Sequence, residues 1–324
     1  PYQPEVSQGT LQAMYEFQTL MCQLTGMEVS NAGLYDGASA TAEAVLMARR
    51  IQSESRRRVF VSRSLHPQYR AVVSTYLRNL EDTELVEIPF DRNGGTDAEF
   101  LAKEVDEKAM CVVVGYPNFF GVIEELAPIQ EACARSGALF VTVTTEPLSL
   151  ALLKPPGAWG ADIAVGEGQS LGVPMSLGGP GFGFFTCQKK FVRSLPGRLA
   201  GETVDHEGRR GFVLTLSTRE QHIRREKATS NICTSQTLCA LAATVFMATL
   251  GKSGMRRLAE VNVCRAHEAQ GRLVKDAGLA PAFTGPFFNE FVLRSKGLAQ
   301  RQSRFTTEKI IPGIPLAPWY PELQ

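Results

Sequence analysis

The chain has 324 residues, of which 44% are hydrophobic, 21% charged and 8% aromatic, a composition ample for a large core and unlike that of disordered or collagen-like chains. Its 34 basic and 33 acidic side chains leave a formal net charge of +1, so no global field draws it to nucleic acid or to an anionic membrane. Seven cysteines, an odd number without a CxxC pair or a Cys/His cluster, read as the reduced thiols of a cytoplasmic protein.

The chain begins with Pro1 instead of Met and has no signal-peptide pattern, which gives the expectation of a natural N-terminus further upstream. From Ser7 to about Gly26, Leu11, Met14, Tyr15, Phe17, Leu20 and Met21 recur at spacings of three and four. That is the period of an amphipathic helix, with Ser7 as its cap. A second helix is expected from about Ala38 to Gln52. Strands follow at Val59–Ser62, Leu85–Ile88, Cys111–Val114, Ala138–Val143, Ala161–Val165 and Gly183–Cys187, most of them separated by helical stretches such as Tyr69–Leu80, Asp97–Val105 and Pro128–Ser136. This alternation predicts an α/β fold with a mainly parallel sheet covered by helices.

After Cys187 the alternation stops. A polar, charged stretch from Lys189 to Lys227 precedes a helix at Thr234–Leu250 and another from about Ser253 to Gly278. The steadily apolar part, Leu238–Leu250, is too short to span a bilayer and reads as a buried helix. Phe287–Arg294 and Ile310–Ile314 read as the start of a small α+β domain that lacks a strand. The domain division expected is a large domain over 1–250 and a small, incomplete one over 251–324.

The segment GADIAVGEGQSLGVPMSLGGPGFGFF, Gly160 to Phe185, places a glycine-rich turn after a strand. Glycines there can cradle a pyrophosphate, but Gly166, Gly168 and Gly172 are one residue too long for GxGxxG. Pro174 also interrupts the helix that such a site needs, and no acid lies about twenty residues on for a ribose. Two tight turns within an α/β domain are the plainer alternative. Asp36-Gly37-Ala38-Ser39-Ala40-Thr41 opens a helix with free amides and small hydroxyls, either a phosphate cradle through Gly37, Ser39 and Thr41 or simple helix capping. His66, His206, His222 and His267 are scattered and give no metal site.

Four stretches together carry a family likeness: PYQPEVSQGTLQAMYEFQTLMCQLTGMEVSNAGLYDGASATAEA, LLKPPGAWGADIAVGEGQSLGVPMSLGGPGFGFF, TREQHIRREKATSNICTSQ and GPFFNEFV. They resemble the glycine decarboxylase P-protein family of the glycine cleavage system, and in particular subunit 1, the alpha subunit of its two-subunit form, equivalent to the N-terminal half of the fused form. The resemblance extends over essentially the whole chain. It implies a fold-type-I pyridoxal-phosphate transferase-like large domain. It also implies a complex with subunit 2 (beta), a heterotetramer that decarboxylates glycine and transfers the aminomethyl group to the lipoyl group of a carrier H-protein.

In the partner subunit of that family an NLHK segment carries the cofactor lysine. Counting back from Gly178–Gly181, the equivalent position here is Gln169, and no lysine lies between Pro155 and Gln188. An amide cannot form the imine that holds the cofactor. The acid expected beside the pyridinium nitrogen is also missing, because VTVTTE puts Thr142, Thr144 and Thr145 at the strand end and Glu146 only beyond it. The implied role is therefore a non-catalytic alpha subunit holding no pyridoxal phosphate, with the cofactor on the beta subunit. Rival readings are an independently active aminotransferase or decarboxylase using a lysine such as Lys154 or Lys227, and a scaffold pseudoenzyme with a different partner.

The stretch Lys189–Lys227 carries ten Lys/Arg and five acids, a local +5. It is either a solvated face or a docking band for the carrier protein or the partner subunit. Its only aromatics, Phe191 and Phe212, are too few for stacking on nucleic acid. By the resemblance, Tyr2, Gln3 and Glu5 lie in a segment bordering the active-site entrance, where they either contact glycine or the lipoyl arm or pack the N-terminal arm against the partner, and His222, Arg224, Arg225, Thr229 and Asn231 lie at the lipoyl entrance or subunit interface.

Overall fold

The computed structural model describes residues 3, 6–297 and 304–323; Tyr2 and Glu5 lie outside the described residues. Helix α1 (Gln8–Thr25) starts where the Ser7 hydroxyl accepts from Thr10 N at 3.3 Å and stops at Gly26, whose φ of 67° is a left-handed C-cap. Its inner row, Leu11, Met14, Phe17 and Met21, is buried, as the three-and-four spacing requires.

The central sheet follows. It is built from β1 (Val29–Ser30), β2 (Arg58–Ser62), β3 (Glu84–Ile88), β4 (Ala109–Gly115), β5 (Leu139–Thr144), β6 (Ile163–Glu167) and β7 (Gly183–Cys187), in the order β1-β7-β6-β5-β4-β2-β3. Strands β3, β2, β4, β5 and β6 are parallel, while β7 runs antiparallel to both β6 and β1. The link from β6 to β7 is a glycine-rich turn with no helix to carry the chain back, so a reversal is the available geometry.

Helices α2 (Gly37–Ile51), α3 (Pro67–Leu77), α4 (Ala98–Glu104) and α5 (Leu126–Ser136) cover the sheet. Strand residues alternate between its two sides. Val59, Val61, Val113, Val141 and Val143 join α2 and α3 in one cluster, and Phe60, Val112, Val114 and Phe140 join α4 and α5 in the other. Burial on both faces explains why these strands read as unbroken apolar runs.

Two expectations are corrected beyond the sheet. The polar stretch after Cys187 contains a hairpin, β8 (Ala200–Val204) and β9 (Arg210–Leu214), hidden because most of its residues are exposed or half-buried. As expected, two helices follow the short α6 (Gln221–Arg224): they meet at the non-helical Gly251 within the element α7 (Thr237–Ala277). Ile310–Ile314 forms no strand, and within Phe287–Arg294 only Leu293–Arg294 (β11) is extended, paired with Ala280–Pro281 (β10).

The inner face of α7 packs Cys239, Ala240, Ala243 and Met247 with Phe17, Phe182 and Phe184. By length and composition alone the helix is apolar enough to cross a membrane, with 33% of its apolar window buried. The C-terminal segment returns to the main body. Tyr320 is fully buried among Phe90, Phe119, Phe120 and Phe283, its hydroxyl donates to Arg63 O at 2.8 Å, and Glu322 pairs with Arg63 at 2.7 Å.

The hairpin is held to α1 by two side-chain amides. Gln8 Nε2 donates to Phe212 O at 2.8 Å while its Oε1 accepts from Phe212 N at 2.8 Å. Gln18 repeats the arrangement with Ala200 O at 3.0 Å and Ala200 N at 2.8 Å.

Candidate functional site

Ligands of open α/β sheets bind where the parallel strands end and helices begin. Here that place lies between the end of β6, the start of α2 and the loop entering β7. Asp36 caps α2, its Oδ1 accepting from Ser39 N at 2.7 Å. The two hydroxyls of the expected cradle turn inward: Ser39 Oγ donates to Asp36 O at 3.2 Å and Thr41 Oγ1 to Gly37 O at 2.8 Å. Close approach of the elements requires glycine. A Cβ at Gly37 would run into the Tyr69 hydroxyl and lie 2.8 Å from Glu167 N, and one at Gly166 would collide with Thr144 O.

Glu167 ends β6 and faces this cluster. Its Oε2 accepts from Gly37 N at 3.0 Å, and its Oε1 accepts from Phe182 N at 3.0 Å and Gln169 N at 3.2 Å. Burial pushes its carboxyl above the ordinary range; the three N–H bonds work in the opposite direction, and the Asp36 charge adds to the rise. The Tyr69 hydroxyl is pushed up by burial first, then by the charges of Glu167 and Asp36.

Gln169 stands in the turn directly after β6, joined to the cluster through its backbone N–H. Its neighbour Ser170 donates from Oγ to Glu146 Oε1 at 2.7 Å, and the same oxygen accepts from Leu148 N at 3.0 Å. Glu146 is thus engaged as a cap of the 3₁₀ turn Pro147–Ala151. Thr142 and Thr144 are buried; Thr144 Oγ1 donates to Tyr116 O at 2.9 Å, and Thr142 Oγ1 has no partner among the described residues. Of the rival lysines, Lys154 places Nζ 3.7 Å from the Trp159 ring centroid, upstream of β6, and Lys227 is exposed in a short 3₁₀ turn.

His66 accepts from Gln68 N at Nδ1, 3.2 Å, capping α3 between the rings of Phe119 and Tyr69. Burial, then the charge of Arg70, lower its pKa, so the imidazole is neutral near pH 7. Sequence reasoning missed Glu167 and Tyr69 as parts of this cluster, and His66 as the cap packed on Tyr69. An acid immediately before a glycine turn, and the His-Pro pair opening a helix, were the available signals.

The expected entrance residues have other partners. Among the described residues no hydrogen bond joins His222, Arg224, Arg225, Thr229 or Asn231 to the Glu167 cluster. His222 Nδ1 lies 3.7 Å from Glu220 Oε2, Arg224 and Arg225 are exposed, Thr229 N donates to Arg219 O at 3.0 Å, and Asn231 is exposed. Gln3 is exposed, its carbonyl accepting from Val6 N at 3.3 Å. Much of the basic stretch is neutralised locally, through Arg209 with Asp205 and Glu207, Arg210 with Glu202, and Lys190 with Asp162. No group of acids, histidines and cysteines able to hold a metal occurs among the described residues.

This sheet, with its cluster at the start of α2, defines the fold-type-I pyridoxal-phosphate transferase-like class. A cysteine desulfurase from Thermococcus onnurineus NA1 superposes with a TM-score of 0.63 over 94% of this chain and 74% of its own, at 16% identity. A glutamate decarboxylase of Lactobacillus brevis CGMCC 1306 gives 0.67 over 93% and 70%, at 11% identity. At such identities the likeness is one of fold.

Nearer relatives narrow the class. Residues 1–318 match the family described as glycine cleavage system P-protein. The chain is 55% identical, over 99% of its length and 72% of the relative's, to a probable glycine dehydrogenase (decarboxylating) subunit 1 of Anaeromyxobacter dehalogenans (strain 2CP-C). It is 51% identical to the protein of the same name from Geobacillus sp. (strain WCH70), over 100% and 71%. A crystal structure of glycine decarboxylase (P-protein) of the glycine cleavage system, in inhibitor-bound form, superposes with a TM-score of 0.89 at 49% identity over 98% of this chain and 71% of that one. The chain belongs to the glycine cleavage system P-protein family.

The class implies pyridoxal phosphate, and the cluster can be tested for it. No lysine lies between residues 155 and 188, Glu146 is engaged as a cap, and the Gly37 and Ser39 amides already bond to carboxylates of this chain. The residues present do not fit that cofactor.

Proposed function

We propose that this chain is the alpha subunit of a glycine dehydrogenase (aminomethyl-transferring, decarboxylating), that it takes no covalent part in the chemistry, and that it shapes and completes a complex whose cofactor sits on a beta subunit. The observation that carries this reading is the end of β6. Where this fold would need an amine it presents Gln169 and Ser170, the latter fixed to Glu146, and an amide cannot replace a lysine in holding the cofactor.

Exposed apolar side chains support a partner subunit. Leu238, Leu241 and Val245 on the outer side of α7 are 64%, 41% and 57% exposed, although apolar residues at such spacing normally lie against something. The exposed cations Arg224, Arg225 and Lys227, which have no ion pair among the described residues, support docking of the beta subunit or of a lipoylated carrier H-protein. Nucleic acid and membrane are not among the partners in this reading. All seven cysteines are unpaired thiols, which supports a reducing compartment, the cytoplasm. The division at residue 250 stands as part of the proposal, with Gly251 as the joint between a large domain and the remainder.

The test is borohydride reduction of the isolated chain with pyridoxal phosphate, followed by peptide mapping. The expected result is no stoichiometric adduct; one lysine peptide labelled to unit stoichiometry overturns the reading. Added beta subunit is then expected to restore glycine-dependent release of carbon dioxide.

A further inference from the structure

We propose that Glu167 closes the phosphate seat of this fold from within: its carboxylate oxygens stand in for two oxygens of a phosphate monoester, and loss of cofactor binding is built at Glu167 as well as at Gln169. The inference rests on the reading of this chain as one that holds no cofactor of its own. It goes further by assigning a residue that excludes the ligand even where an amine is supplied.

The geometry separates this from ordinary helix capping. Helix α2 already has its cap in Asp36, bonded to Ser39 N at 2.7 Å. Glu167 comes from 130 positions away in the chain and draws amides from three different segments: Gly37 at the start of α2, Gln169 in the turn after β6, and Phe182 in the loop before β7. Three N–H groups converging from separate segments form an anion-binding concavity.

The surroundings are cleared for a close anion. A Cβ at Gly181 would lie 2.9 Å from Glu167 Oε1, and one at Gly37 would meet the backbone of Gly166 and Glu167. A carboxylate tethered by its own strand competes with a free ligand at an effective concentration on the order of millimolar or above. It is also a like charge to the phosphate. Both effects keep phosphate out of the wild-type seat while the fold around it persists.

The experiment compares wild type, Glu167→Ala, Glu167→Gln and, as a charge-matched control at an exposed position of α5, Glu131→Ala. Saturable binding of inorganic phosphate is followed by calorimetry and by the rise in Tm. Pyridoxal phosphate and phosphate-free pyridoxal serve as further probes. Glu167→Ala is expected to bind phosphate about tenfold or more tighter than wild type, the order expected from removing a charged competitor for three N–H donors, and to prefer pyridoxal phosphate to pyridoxal.

Glu167→Gln is expected to lie between, and Glu131→Ala to match wild type. Equal phosphate binding by wild type and Glu167→Ala overturns the proposal. So does an equal gain in Glu131→Ala, or failure of both Glu167 variants to fold with phosphate present, since a ligand in its seat should rescue them. These outcomes leave the borohydride result on the wild-type chain untouched, so the two readings fail separately.

Discussion

Ser170 Oγ donates to Glu146 Oε1 at 2.7 Å, and this bond ties the turn that carries Gln169 to the segment leaving β5. Because the same oxygen holds Leu148 N, one carboxylate fixes both sides of the strand ends. Replacing Glu146 by Ala leaves a hydroxyl and an amide without acceptors, a loss of about 1–2 kcal/mol. Urea unfolding checks it, and an unchanged midpoint would mean that the bond is absent in solution.

Glu124 predicts a pH effect. It is buried and accepts from Thr96 N, Thr96 Oγ1, Ser64 Oγ and Asn118 Nδ2 at 2.7–3.0 Å, yet burial outweighs these bonds and raises its pKa. The folded chain therefore binds a proton where the unfolded chain has already released it. Stability falls as pH rises from the ordinary carboxylate range through the raised value. Glu124→Gln places an N–H₂ among donors, at a cost of about 1–3 kcal/mol on the acid side. The gap from wild type should narrow with rising pH in denaturation curves, and a gap that widens contradicts the assignment.

Two glycines of α7 predict opposite signs. Gly251 has φ 59° and ψ −176° with open space at its Cβ, so Gly251→Ala should cost about 1–3 kcal/mol through backbone strain alone. Gly271 is helical with equally open space, and Gly271→Ala should stabilise by about 0.5–1 kcal/mol. Thermal melts of the two variants decide; a shift in the same direction for both would refute the joint.

The thiols divide by exposure. Cys233 and Cys264 are exposed, whereas Cys111 and Cys187 are buried with pKa pushed up to about 12. Maleimide should label Cys233 and Cys264 in the native chain and spare Cys111 and Cys187 until denaturant is added. Mass spectrometry of tryptic peptides gives the answer, and rapid native labelling of Cys111 would show an open core.

Arg224 and Arg225 have no ion pair among the described residues and are exposed. If they steer a partner, an Arg224→Gln/Arg225→Gln double variant should slow association with the beta subunit at low salt. The difference should fade as salt shortens the screening length to about 8 Å and below. Stopped-flow association traces that overlay at every ionic strength would return both residues to the solvated face.

The parallel strands were legible because two buried faces force continuous apolar runs, as in Cys111–Val114, all buried. The β8–β9 hairpin was not, because its alternation is drowned by charged residues on an exposed ribbon. Strand β1, two residues long, exists only through its pairing with β7. At the site, the missing lysine was plain in the sequence, since it is a matter of residue type. The role of Glu167 was not, because one of its three donors, Gly37 N, lies 130 positions away in the chain, and only the folded chain brings them to one point.

The paired amides of Gln8 and Gln18 carry a consequence for solubility. Each presents a donor and an acceptor to one residue of the β8–β9 ribbon, as a neighbouring strand would. A two-stranded ribbon otherwise offers bare peptide groups on both edges, a template for stray strands. Helix α1 thereby acts as a false third strand that stops the ribbon from growing. Shortening either side chain would turn a sealed border into one that recruits other copies, so aggregation that begins at the hairpin, with the central sheet intact, is the failure expected of such a chain.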